Sequence, residues 1–81
     1  MNKLNNEITS LTDICLAATL STLQQPILRL EKITPTKAQF LFKKTVELDK
    51  LIEAYWNNSL KVSPIEFFNN LKNIKSRLYS E

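Results

Sequence analysis

Not one of the 81 residues is glycine. Glycine enters left-handed backbone conformations without a steric penalty, so tight turns and helix exits ordinarily fall to it. A chain lacking it must turn by other means, and two such places can be read directly. Thr34-Pro35-Thr36-Lys37 puts proline at the second position of a tight turn, where its ring presets the dihedral the turn needs. Asn57-Asn58 puts asparagine, which tolerates the left-handed region, at a helix exit. The same absence excludes every glycine-rich loop that cradles a phosphate.

Histidine is absent as well, and Cys15 is the single cysteine. No internal disulfide and no Cys/His zinc cluster can form. A catalytic thiolate wants a basic partner that no histidine supplies here, so Cys15 reads as a small buried hydrophobe in a reducing cytosol. Most of the carboxylates have structural explanations: Asp13 and Glu66 at helix starts, and Glu47, Asp49 and Glu53 on a solvated helix face. Asp49 and Glu53, four apart, could share a cation, but an ordinary exposed face is the better account. No catalytic residue, metal ligand or cofactor is therefore expected, and the class of function narrows to binding.

With domains running to about 100–200 residues, the chain has room for one. Apolar residues make up 43% and charged residues 23%, ordinary globular usage that argues against a disordered tail. No stretch approaches the roughly 18 apolar residues of a membrane span. Met1 to Glu7 holds no apolar run of the kind a signal peptide needs, so a cytoplasmic location is expected.

The first helix is expected from about Leu11 to Leu23, capped by Thr12 or Asp13. It is apolar nearly all round, interrupted by Thr19, Ser21 and Thr22. Such a helix is central in its fold or buried on both sides, one of them by a partner. Gln24-Gln25-Pro26 ends it, since proline disfavours helix at the residue before it. Residues 27–43 read as a β-hairpin, because period-two alternation puts Leu28, Leu30, Phe40 and Phe42 on one inner face. The second helix runs from about Thr45 to Asn57, with Thr45 as cap and Leu48, Leu51, Ile52, Tyr55 and Trp56 as one stripe.

The last helix opens with the strongest local signal, the capping box Ser63-Pro64-Ile65-Glu66 with proline at the first helical position. It continues through Phe68, Leu71, Ile74 and Leu78, with Asn69, Asn70, Asn73 and Ser76 on the opposite face. The expected fold is a small single α+β domain in the order α-β-β-α-α, one β-hairpin packed on three helices. It occupies residues 10–81, after a flexible N-terminus over 1–9. Its core is Leu16, Leu20, Leu30, Phe40, Phe42, Leu48, Ile52, Tyr55, Phe68, Leu71 and Leu78.

Several pieces taken together resemble a known family. They are Thr12-Asp13-Ile14-Cys15-Leu16-Ala17-Ala18, Phe40-Leu41-Phe42, Leu51-Ile52-Glu53-Ala54-Tyr55-Trp56-Asn57, and Val62-Ser63-Pro64 leading to Lys75-Ser76-Arg77-Leu78-Tyr79. Their order and spacing, over about residues 10–80, resemble short domains of unknown function found in prokaryotes and their mobile elements. In that family a glycine often follows the first helix; this chain has Gln24-Gln25-Pro26 there. The resemblance implies no activity, cofactor or site residue.

Charge is the one feature that points to a ligand class. Net charge is +3, and Arg29, Lys32, Lys37, Lys43 and Lys44 stand against Glu31 alone between residues 29 and 44. A basic two-stranded ribbon can lie along a phosphate backbone or enter a major groove. Those five residues are the candidate nucleic-acid contacts. Trp56, at the margin of its stripe, and Lys75, inside the apolar arc between Leu71 and Phe68, are candidate partner contacts. Their plainer accounts are core packing and a lysine stem lying along apolar surface. The expected function is that of a non-enzymatic accessory or regulatory binding protein, acting on nucleic acid or within a nucleic-acid complex. The alternative is a protein–protein module, an adaptor or inhibitor subunit with no nucleic-acid contact. The expected partners are DNA or RNA, a protein, or a second copy in a homodimer. No membrane and no small-molecule substrate is expected.

Overall fold

The structure, a computed structural model, describes residues 7–79. Its elements are β1 (Ile8–Leu11), α1 (Ile14–Thr22), β2 (Arg29–Thr34), β3 (Lys37–Lys43), α2 (Val46–Trp56) and α3 (Pro64–Tyr79). The α+β class and the three helices hold. The order is corrected to β-α-β-β-α-α, and the two-stranded hairpin to a three-stranded antiparallel sheet in the order β1-β3-β2. Of the N-terminal stretch 1–9, residues 1–6 lie outside the described residues, while Ile8 and Thr9 belong to β1.

β3 is the central strand. β1 aligns Thr9 with Phe42 and Leu11 with Phe40, and β2 aligns Leu30 with Phe40 and Lys32 with Ala38. Side chains alternate across a strand, so Thr9, Leu11, Leu30, Ala38, Phe40 and Phe42 share the inner face. Ala38, Phe40 and Phe42 are buried, whereas Lys37 and Lys43 on the other face are exposed. β1 escapes a sequence reading because its inner residues are Thr9 and Leu11 and its outer ones Ile8 and Ser10. Polar and apolar residues therefore do not alternate along it.

The hairpin link is Pro35-Thr36, and the Thr36 N–H donates to Thr34 Oγ1 at 3.3 Å. Proline cannot adopt the positive φ that the usual two-residue hairpin turns need at their first central position. The mismatch is taken up by a register irregularity between Lys32 and Thr34.

All three helices start on a side-chain oxygen. Asp13 Oδ1 accepts from Leu16 N at 3.0 Å, Thr45 Oγ1 from Leu48 N at 3.0 Å, and Ser63 Oγ from Glu66 N at 3.3 Å. Two helices end on residues that stand in for glycine. Gln24 and Asn58 have φ of 73° and 59°, the only positive values among the described residues. Each sits one position past its C-cap, and the following residue bonds back to the helix: Gln25 N to Leu20 O at 2.9 Å, Ser59 N to Ala54 O at 3.0 Å. This is the Schellman arrangement, which satisfies the last carbonyls of a helix.

One core joins the sheet to the helices. It holds Leu16, Ala17, Ala18 and Leu20 from α1, Ala38, Phe40 and Phe42 from β3, Leu48 from α2, and Ile74 and Leu78 from α3. α1 lies in the middle, against both α2 and α3. Its interruptions are absorbed: Thr19 Oγ1 donates to Cys15 O and Thr22 Oγ1 to Ala18 O, each at 2.8 Å. Thr22 Oγ1 also accepts from Asn70 Nδ2 at 2.9 Å, which ties α3 to α1 and takes Asn70 off the solvent face expected for it.

Four expectations about burial are corrected. Cys15 is exposed, because in the first turn of α1 the core covers Ile14 and Leu16 on either side of it and not the direction in between. Leu28 precedes β2 and is exposed. Trp56, in the last turn of α2, is exposed rather than packed in the core. Phe68 is 56% exposed, because the covered stripe of α3 runs through Phe67, Leu71, Ile74 and Leu78. Of the remaining core residues named above, Leu30, Ile52, Tyr55 and Leu71 are partly buried against it.

The difference between the two phenylalanines is measurable. Phe40→Ala should cost about 3–5 kcal/mol in urea unfolding, and Phe68→Ala under about 1 kcal/mol. A left-handed residue with a Cβ is strained by roughly 1–2 kcal/mol, partly offset by the looser unfolded chain that glycine brings. Gln24→Gly should therefore raise stability by about 0.5–1 kcal/mol in the same measurement.

Candidate functional site

The structure does not gather the five hairpin cations into one surface. Arg29 Nη2 lies 3.0 Å from Glu31 Oε2, both on the outer face of β2. Lys44 follows β3 and reaches both carboxylate oxygens of Asp49 on α2, at 3.0 and 3.3 Å. Lys32 stands on the inner side of β2, opposite Ala38. Lys43 is at the far end of β3 from Lys37. They stand six positions apart on the strand, about 20 Å at the usual rise. The exposed pairs with Glu31 and Asp49 contribute little to stability, but they place a carboxylate beside two of the five cations.

Lys37 instead lines a groove together with Lys75. The turn end of the hairpin and the second half of α3 enclose a groove of about 180 Å³. Its polar rim is Lys37, Lys75, Thr12, Thr36 and Tyr79, over a floor that includes Ile14, Phe40 and Leu78. Lys37 is the first residue of β3, and antiparallel pairing with Thr34 fixes its place beside the turn. Lys75 follows Ile74, which is buried and holds that turn of α3 against the core. The stem of Lys75 thus runs beside apolar surface while the residue as a whole is exposed.

A shallower hollow of about 500 Å³, lined by Lys72, Lys75, Ser76 and Tyr79, shares Lys75 and Tyr79 with the groove. No carboxylate lines either one among the described residues. Ammonium groups, hydroxyls and an apolar floor suit an anion attached to an organic body. Lys72 and Tyr79 are site residues that the sequence reading passed over. Their signal is present in the spacing, since positions 72, 75, 76 and 79 fall on one side of a helix.

Trp56 lies elsewhere, in a cleft of about 350 Å³ lined by Thr19, Tyr55, Trp56, Asn58, Leu60 and Val62. The Tyr55 and Trp56 rings meet edge to face, centroids 5.0 Å apart. Burial raises the Tyr55 phenol above its ordinary value, and the negative charges of Asp13 and Cys15 push it the same way. This cleft offers aromatic surface and, among the described residues, no cation. Among the described residues no three His, Cys, Asp or Glu side chains gather as a metal site, and no helix is long and apolar enough to cross a membrane.

Residues 5–80 match the family model of a domain of unknown function, DUF5659, and the chain belongs to that family. No curated protein and no solved structure matches it.

The Tyr55 shift has a consequence for stability. Above about pH 10 the unfolded chain loses the phenolic proton that the folded chain keeps. Stability should therefore fall as pH rises from that value towards the raised folded one. Urea midpoints taken at about pH 9 and about pH 10.5 should fall less steeply in Tyr55→Phe than in the parent chain.

Proposed function

We propose that this protein is a non-enzymatic accessory or regulatory binding protein that holds the phosphate backbone of a nucleic acid. The observation that carries this reading is the convergence of Lys37 and Lys75 on one groove, with Lys72 beside it and no carboxylate in the lining among the described residues. Lysine is a point charge suited to phosphate, and each phosphate neutralised releases counterions. The groove combines one cation from the basic hairpin with one from α3, so it narrows the hairpin hypothesis rather than replacing it. Arg29 and Lys44 already face Glu31 and Asp49 and serve the local field more than direct contact. Lys43 and Lys32 add positive potential at a distance.

The proposal includes a cytoplasmic setting and pairing of two copies. β1 and β2 each pair on one side only among the described residues, and an unpaired strand edge is a template for a second chain. The prokaryotic and mobile-element setting rests on the family resemblance. A second reading, an adaptor or inhibitor subunit without nucleic-acid contact, draws on Trp56, which is 63% exposed in its own cleft.

Fluorescence anisotropy with labelled DNA and RNA tests the proposal. Three lysines on phosphate give a logarithmic salt slope of about −2.1 to −2.7, a loss of roughly 20- to 40-fold between 50 and 200 mM salt. The double variant Lys37→Gln/Lys75→Gln should bind more weakly, with a slope shallower by about 2 and unchanged thermal unfolding. Absence of binding to both nucleic acids at low salt would sink this reading and favour the adaptor.

A further inference from the structure

α3 carries two stripes at alternating spacings of three and four. Phe67, Leu71, Ile74 and Leu78 are turned to the core. Ile65, Phe68, Lys72, Lys75 and Tyr79 form the second stripe, and all five are exposed. Two rings therefore flank two ammonium groups along one helix face. Phe68 and Tyr79, 56% and 72% exposed, stand eleven residues apart, about 16 Å along the axis. Lys72 Nζ sits 5.6 Å from the centre of the Phe68 ring, a cation–π contact that orients the ring. Lys75 and Tyr79 belong at once to this stripe and to the groove that holds Lys37.

We infer that the groove and this stripe together bind a single-stranded nucleic acid, with Phe68 and Tyr79 stacking on bases and Lys37, Lys72 and Lys75 holding the phosphates between them. The inference rests on the nucleic-acid reading and specifies its ligand. A duplex keeps its base faces stacked inside and offers a protein its backbone and groove edges, so exposed rings between cations have nothing to stack on. A single strand presents base faces and phosphates together, and base–aromatic stacking tolerates any sequence. A second copy of this chain fits the stripe less well. Two such faces would bring four lysines into one interface, with no carboxylate in the stripe to answer them. The ring–cation–cation–ring order is complementary to a polyanion carrying flat apolar groups.

Anisotropy of the whole protein at low salt provides the test, with four labelled probes of one length: oligo(dT), oligo(rU), a DNA duplex and an abasic strand. The expected result is binding of both single strands at least tenfold tighter than the duplex or the abasic strand. Phe68→Ala and Tyr79→Ala should each weaken single-strand binding roughly tenfold and leave duplex and abasic binding unchanged. Phe68→Leu, which keeps apolar bulk and loses the ring, should behave as Phe68→Ala does, with thermal unfolding unaltered. Equal affinity for all four probes overturns this inference and leaves the backbone reading standing. Full single-strand affinity in both alanine variants also overturns it and assigns the stripe to a protein surface. No binding of any probe overturns the backbone reading itself.

Discussion

Phe40 and Phe42, each 1% exposed, project from the same face of β3 into a core whose α1 contribution includes Ala17 and Ala18. In that core the two rings and the two methyl groups are buried together, and apolar burial of this kind holds sheet and helices in contact. The rest of the architecture depends on this contact. β3 is paired on both sides, so its inner face is fixed by β1 and β2, while α1 packs against α2 and α3. A change at either ring would disturb the sheet register and the helix layer together.

The absence of glycine shapes the connections around that core. Where α1 and α2 must stop and turn, the chain uses Gln24 and Asn58 in left-handed conformations and closes each exit with hydrogen bonds to the last carbonyls. Asparagine is at home there; glutamine is not, and its strain is held in place by the bond from Gln25 to Leu20. At the hairpin, Pro35 removes the need for a left-handed residue and shifts the irregularity into β2. These solutions hold the chain in specific geometries, and one of them sets Lys37 beside the turn, at the edge of the groove.

The groove follows from how much of α3 the core covers. The apolar arc of this helix is wider than one core needs, because Phe68 and Ile65 extend it beyond Phe67, Leu71, Ile74 and Leu78. The core takes the side that carries Ile74, and the remainder, with Lys72, Lys75 and Tyr79, faces outward. Lys75 lies where the two sides meet. Its unusual place in the arc reflects a boundary between buried and open surface, and across that boundary stands the hairpin turn.

Features set by neighbours three or four residues apart could be read from the sequence. The caps at Asp13, Thr45 and Ser63 are local hydrogen bonds, and the proline start of α3 is a local dihedral preference. The inner face of β3 shows as alternation over residues 37–43, and the exit at Asn58 rests on a side chain that tolerates its own backbone. The family resemblance was legible on the same short pieces. Tertiary structure alone decided the rest. β1 exists because β3 offers it hydrogen bonds from about thirty positions away along the chain, and four residues without alternation carry no signal of that. The exposure of Phe68 and Trp56 depends on which side of each helix meets the core, and a wide arc leaves that choice open. The groove that Lys37 lines together with Lys75 depends on the angle between a hairpin and a helix. That angle is a property of the packed core, and no local segment encodes it.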